Sequence, residues 1–272
     1  MTPRETTMLL DPSPPLFPAD WAIAWGEDTY GLWQACAIAG VRQVMRWCPP
    51  GRFLMGSPVE EPERLGGETR HEVTLTRGFW LAETACTQAL WQAVDGDNPA
   101  HFQGDPEYPV ESVSWLDCLD FIARANRLRD DGLVLRLPTE AEWECACRAG
   151  TRTAFSFGDA LDTGRANYNG NYPYSDGPKG EYRQRTLPVR SFAANPWGLY
   201  QMHGNVRQWC ADWFGDYPPG PVSDPTGPAD GSYRVLRGGA WYVRGRLLRS
   251  AYRSRPPPDY RSAGIGLRLA AG

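Results

Sequence analysis

The reading turns on the C-terminal end of the chain: Arg234-Val-Leu-Arg-Gly-Gly-Ala-Trp241, then Arg249-Ser-Ala-Tyr-Arg253, Pro258-Asp-Tyr-Arg261 and Ile265-Gly-Leu-Arg-Leu269. Between the first two blocks stands Tyr242-Val-Arg-Gly-Arg-Leu-Leu248, and no cysteine follows Cys210. The seven cysteines, at 36, 48, 86, 118, 145, 147 and 210, are odd in number and show no C-x-x-C spacing. Buried free thiols are therefore expected, and a disulfide framework is not. Cys145 and Cys147 fall on a predicted helix, where residues two apart point in different directions and cannot share a metal.

Moving outward, residues 1–20 read as an extended, Pro-rich arm, and 21–47 as two strands or a hairpin packed on the main domain. Pro49-Pro-Gly-Arg-Phe-Leu-Met-Gly56 reads as a turn and strand, and 71–76 and 79–83 as further strands. Thr87 is expected to cap a helix over 88–94. Ser114 is expected to cap a second, with Trp115, Cys118, Leu119 and Ile122 as its buried stripe. Thr139 and Glu142 form a capping box, T-x-x-E, that opens a third. From Gly150 to Tyr200 the chain is Gly-, Asn- and Tyr-rich without helical period.

Five blocks in order resemble the formylglycine-generating enzyme family: Pro49–Gly56, Arg-Leu-Pro-Thr-Glu-Ala-Glu-Trp-Glu over 136–144, Gly204–Trp213, Arg234–Trp241 and the run from Arg249 to Leu269. The resemblance covers about residues 48–270 and implies an α+β, C-type-lectin-like fold with short twisted sheets, two or three helices and much irregular coil. It places residues 1–47 as an arm and hairpin on a main domain over 48–272. It also implies that the N- and C-terminal strands pair.

The same resemblance marks what is missing. The family's oxidases bind copper through two cysteines shortly after the Gly-Gly; here that stretch is Tyr242–Leu248, which supplies no thiolate. His71, His101 and His203 are isolated and form no H-x-x-x-H pair, so a histidine metal site is not expected. The family's calcium loop, N-x-x-G-N-x-W-E, appears with Gln201 and Gln208 at its coordinating positions. Calcium affinity rests on carboxylates, so that loop is expected to be empty. A second calcium loop would begin at Asn167, and it is the one cofactor left open.

Nine arginines and one acid, Asp259, give residues 234–268 a net +8, leaving −12 elsewhere in a chain of net charge −4. A basic tail suggests nucleic acid. The framework arginines Arg249, Arg253, Arg261 and Arg268 are instead expected to pair with the acidic remainder, and an acidic chain is poorly suited to phosphate binding. No apolar run approaches the ~20 residues of a membrane span, and the N-terminus lacks a signal-peptide pattern. A cytoplasmic monomer is the expectation, with export by another route open.

With the framework removed, the tail leaves Tyr242, Val243, Arg244, Leu247, Ser254, Pro256, Pro257, Tyr260, Ser262, Ala263 and Gly264. None of these eleven is Lys, Glu, Gln, Met or Trp. Randomising the first two bases of asparagine codons cannot produce those five types. The pattern resembles the variable proteins of diversity-generating retroelements. The resemblance implies a non-catalytic protein that displays these eleven side chains to a protein or peptide ligand, with Arg244 as the main charge. A drifted, inactive oxidase relative and an enzyme of unrecognised type on the same fold are the alternatives.

Overall fold

A computed structural model describes residues 10–272. In chain order the elements are β1 (Ala24–Asp28), β2 (Gly31–Ile38), β3 (Val41–Cys48), β4 (Gly51–Met55), β5 (His71–Leu75), β6 (Phe79–Ala82), α1 (Gln88–Asp95), α2 (Trp115–Arg127), β7 (Leu135–Arg136), α3 (Glu140–Arg148), β8 (Arg207–Trp213), β9 (Val222–Ser223), β10 (Arg234–Arg237), β11 (Ile265–Gly266) and β12 (Ala270–Ala271). This is the expected α+β architecture, with short strands and coil throughout 150–200.

The N-terminal region forms a three-stranded meander where a hairpin was expected. Its β2–β3 turn, Ala39-Gly40, has both residues left-handed (φ 48° and 80°), the geometry that matches strand twist. The meander is part of the principal sheet, ordered β1-β2-β3-β6-β12-β7, so the boundary drawn at residue 47 falls within that sheet. The described part of the arm packs down: the Trp47 indole donates to the Pro12 carbonyl at 2.6 Å, and Phe17 stacks on Trp80. Residues 1–9 of the arm lie outside the described residues.

Each helix starts as its sequence predicts. Thr87 caps α1 by accepting from the Leu90 amide, and Ser114 with Asp117, like Thr139 with Glu142, closes a reciprocal capping box. The stripe of α2 needs one correction. Leu119 is exposed, and the buried face is Trp115, Cys118, Phe121, Ile122 and Ala125. Phe121 takes the inward place because it stacks on Trp91 of α1, with ring centroids 4.5 Å apart. These residues, with one face of the principal sheet, make the first core, and α3 packs a second against β4, β5 and β10. All seven cysteines are free and buried.

The C-terminal strand does not pair with the N-terminal one. β12 lies between β6 and β7, antiparallel to both, because β3 already occupies the other side of β6. A second sheet, ordered β10-β8-β11, carries the C-terminal segment. A third, β4-β5-β9, flanks α3.

Candidate ligand-binding surface

The segment from Ala240 to Gly264 leaves β10 through Gly238-Gly239, both left-handed (φ 93° and 76°). A Cβ on Gly239 would stand 2.8 Å from the Leu247 carbonyl oxygen, so the turn requires glycine on both conformational and steric grounds. Beneath it, Arg249 is fully buried, and its Nη1 lies 2.7 Å from both Glu61 and Glu68. Arg253 makes a two-point contact with Glu140 (2.6 and 2.7 Å), and Arg261 one with Asp117 (both 2.7 Å). Three of the four framework arginines thus pair as expected. Arg268 does not: it donates to Gln208 Oε1 and to the Ala82 and Tyr200 carbonyls. The position that carries a carboxylate in the resembled motif is Gln208 here.

The segment's remaining tethers are largely main-chain. Ser254 exchanges both backbone hydrogen bonds with Leu236 (2.9 and 3.0 Å). The Pro256 carbonyl accepts from Arg234 N, that of Pro258 from Trp115 N, that of Ser262 from Ser112 N and that of Gly264 from Arg207 N. The Val243 carbonyl accepts from Asn169 N at 2.9 Å, and the Ala263 carbonyl from the Trp241 indole at 2.8 Å. None of these contacts depends on the side chain at the accepting position.

Of the eleven positions singled out in the sequence, Arg244, Pro257 and Tyr260 are exposed, and Tyr242, Leu247, Ser254, Pro256, Ser262 and Ala263 are half-buried. Val243 and Gly264 are corrections. Val243 is 6% exposed and belongs to an aromatic cluster with Phe155, Tyr168 and Tyr174. Gly264 lies under Tyr242, whose ring atom Cε1 would meet an added Cβ at 2.5 Å. The cause is local conformation: this stretch holds a short 3-10 turn over Gly245–Leu248 and extended coil, so no single period sorts inward from outward side chains.

Tyr242 Oη lies 3.2 Å from Ser262 Oγ, and Arg207 of β8 donates to Tyr242 Oη at 3.4 Å while its guanidinium covers the ring. Arg207 also lines a groove of about 640 Å³ together with Ser254, Pro256, Tyr260, Tyr252 and Arg255. Arg207, Tyr252 and Arg255 were not singled out in the sequence. The only sequence signal was Arg207 standing at the tryptophan position of N-x-x-G-N-x-W-E. Arg244 lies apart, over Tyr172.

Thiol chemistry has little support in this arrangement. Cys147 is the cysteine nearest a histidine, with Sγ 3.6 Å from His203 Nε2. Burial pushes its thiol up to about 12. Burial also pushes His203 down to about 4. The 2.7 Å contact from Nδ1 to the Leu248 carbonyl makes Nδ1 the donor and leaves Nε2 accepting from Ser156 N at 3.0 Å. A neutral thiol beside a neutral, already engaged imidazole is not an activated nucleophile.

The loop at Asn167 is an amide network. Asn167 Nδ2 donates to the Arg185 carbonyl and to Asn205 Oδ1, and Asn205 Nδ2 donates to the Leu187 carbonyl and to Gln201 Oε1. Asn167 Oδ1 is the one buried acceptor in it without a partner. No cluster of three or more His, Cys, Asp or Glu side chains placed for a metal occurs among the described residues. Calcium takes about six to eight oxygens, amide and backbone carbonyls among them, and Asn167 Oδ1 is the amide oxygen of this network left free to join such a set.

The model of the "Sulfatase-modifying factor enzyme 1-like domain" family matches residues 40–272. The formylglycine-generating enzyme of Streptomyces coelicolor is 36% identical over 282 aligned residues, covering 82% of this chain and 87% of that protein. The serine/threonine-protein kinase pkn1 of Chlamydia caviae is 37% identical over 174 residues, and there the match spans only 25% of the relative's length. Among solved structures, Treponema denticola variable protein 1 superposes with a TM-score of 0.75 at 27% identity, covering 88% of this chain and 98% of that one. PvdO from Pseudomonas aeruginosa gives 0.70 at 24%, covering 92% and 98%.

Proposed function

Given that the chain belongs to the sulfatase-modifying factor enzyme 1-like family, we propose that it is a non-catalytic member that binds a protein or peptide ligand through a diversified C-terminal surface. The observation that carries this reading is the tethering of Ser254, Pro256, Ser262, Ala263 and Gly264 through backbone atoms, with Arg249 and Arg253, just before them in the chain, anchored on buried carboxylates. Such a segment keeps its path when its outward side chains change. The likeness to a variable protein at a TM-score of 0.75 supports it. So does the absence of any cysteine after Cys210, since the oxidase chemistry of the family needs a thiolate there. Arg244, Tyr260 and Tyr242 are of the residue types that make good anchors at interfaces.

The 36% identity to an oxidase favours one rival, a drifted relative whose tail has merely lost its cysteines. A library randomised at Arg244, Leu247, Pro256, Pro257 and Tyr260 separates the two. The display reading expects most members to fold with near-parental melting temperatures, and widespread unfolding would favour drift. Incubation with copper and a cysteine-containing sulfatase peptide should give no aldehyde. Turnover above a metal-only control would overturn the non-catalytic assignment.

A further inference from the structure

The groove beside the display segment has an uncompensated charge at its base. Glu68 and Arg253, which both line it, are already spent on Arg249 and Glu140. Arg207 and Arg255 are not: neither forms an ion pair among the described residues. Arg207 is half-buried, its Nε is buried without a hydrogen-bond partner, and one of its terminal nitrogens has only the long contact to Tyr242 Oη. A guanidinium is a fork of donors that matches a carboxylate, and leaving such a donor buried and unpaired is costly. Arg255 is exposed at the rim, resting over Phe214, and the one unpaired acid among the groove's described lining residues, Asp216, is exposed. The surrounding faces are aromatic or apolar, from Tyr252, Tyr260, Phe214 and Pro256.

We propose that this groove receives an acidic side chain, Asp or Glu, from the partner polypeptide, with the carboxylate seated on Arg207 and its flanking residues packed on Tyr260 and Pro256. The proposal rests on the display reading and names the chemistry of its partner. Arg207 lies outside the diversified positions, so it supplies a constant anchor for a carboxylate, while Ser254, Pro256 and Tyr260 set what is accepted around it. Arg255 adds attraction during approach, a contribution that salt screens.

The test uses the full chain, immobilised and panned against a phage-displayed random dodecapeptide library, with selected peptides resynthesised for titration. The expected result is enrichment of Asp or Glu within an aromatic or apolar context. Arg207→Gln should lose affinity by on the order of tenfold or more, as when one partner of a desolvated charge pair is removed. Arg207→Lys should retain part of it, and added salt should weaken binding. Thermal melts confirm that each variant is folded, and Arg255→Ser, at an exposed site, gives a second, smaller loss if Arg207→Gln is unstable. Peptides without acidic enrichment, or peptides indifferent to Arg207→Gln yet weakened by Tyr260→Ala or Arg244→Ser, overturn the carboxylate anchor and leave the display reading standing. Peptides indifferent to all of these variants, or none selected above a carrier-protein control, overturn both.

Discussion

Single residues carry unresolved polarity that makes sharp predictions. Arg268 is fully buried with only amide and carbonyl partners, and burial pushes its guanidinium down to about 9. Its neighbour Gln208 accepts from both Arg268 and the Trp143 indole through Oε1, while its Nε2 is buried without a partner. Replacing that amide by a carboxylate, Gln208→Glu, removes an orphaned donor and gives a buried cation its counter-charge. We expect stabilisation of about 1–3 kcal/mol in denaturant melts; unchanged or reduced stability would contradict this account. Asp212 is the opposite case. Burial, with the Glu140 charge next in weight, pushes its carboxyl up to about 7 from 3.8. The folded chain holds this proton where the unfolded chain has released it, so stability is fully present below about pH 4 and declines as pH rises towards 7. Asn keeps an acceptor for the Glu140 amide, which Asp212 now receives at 2.8 Å. Asp212→Asn should therefore match the parent at pH 4 and exceed it by about 1 kcal/mol or more at pH 8. A gain that is independent of pH would show that the carboxyl is not the cause.

At the level of elements, the segment proposed to display variable side chains divides into buried frame residues and outward ones, and substitutions should divide likewise. Tyr260→Ala should cost no more than about 0.5 kcal/mol, as at ordinary surface sites. Arg249→Ala should cost about 3–5 kcal/mol, because Glu61 and Glu68 would stay buried without their cation. Val243→Ala, counted with the display set on sequence alone, should cost roughly 1–3 kcal/mol by opening space against Phe155 and Tyr174. Chemical denaturation of the three variants checks the order, and equal losses would dissolve the distinction. The helices were legible because capping is local: Ser114 with Asp117, and Thr139 with Glu142, each act across three residues. Leu119 was misplaced because α2 offers apolar residues on two sides, and only its packing on α1 selects Phe121. Arg207 was overlooked for a related reason. Its significance lies in a groove shared with residues 252–260, and within β8 the only sign of it is an arginine where the motif has tryptophan.

In the whole molecule, the parts read least well were those joining distant stretches of chain. The five family blocks gave the fold class. They did not give the place of β12, which depends on β3 already flanking β6, nor the union of the N-terminal meander with the principal sheet. β11 pairs with β8 in the second sheet and β12 closes the gap between β6 and β7 in the first, so two sheets are finished by residues 265–271. A chain stopped after Gly264 should show no cooperative thermal transition and should be rapidly proteolysed, whereas a folded, protease-resistant truncation would refute this dependence. During synthesis these strands emerge after the segment proposed to vary. A stop codon or shift of reading frame anywhere in that segment also deletes or scrambles both closing strands, leaving open sheet edges for proteases to find. On the proposed display reading, the architecture would thus audit each variant of its own surface, because only chains read through in frame would complete both sheets.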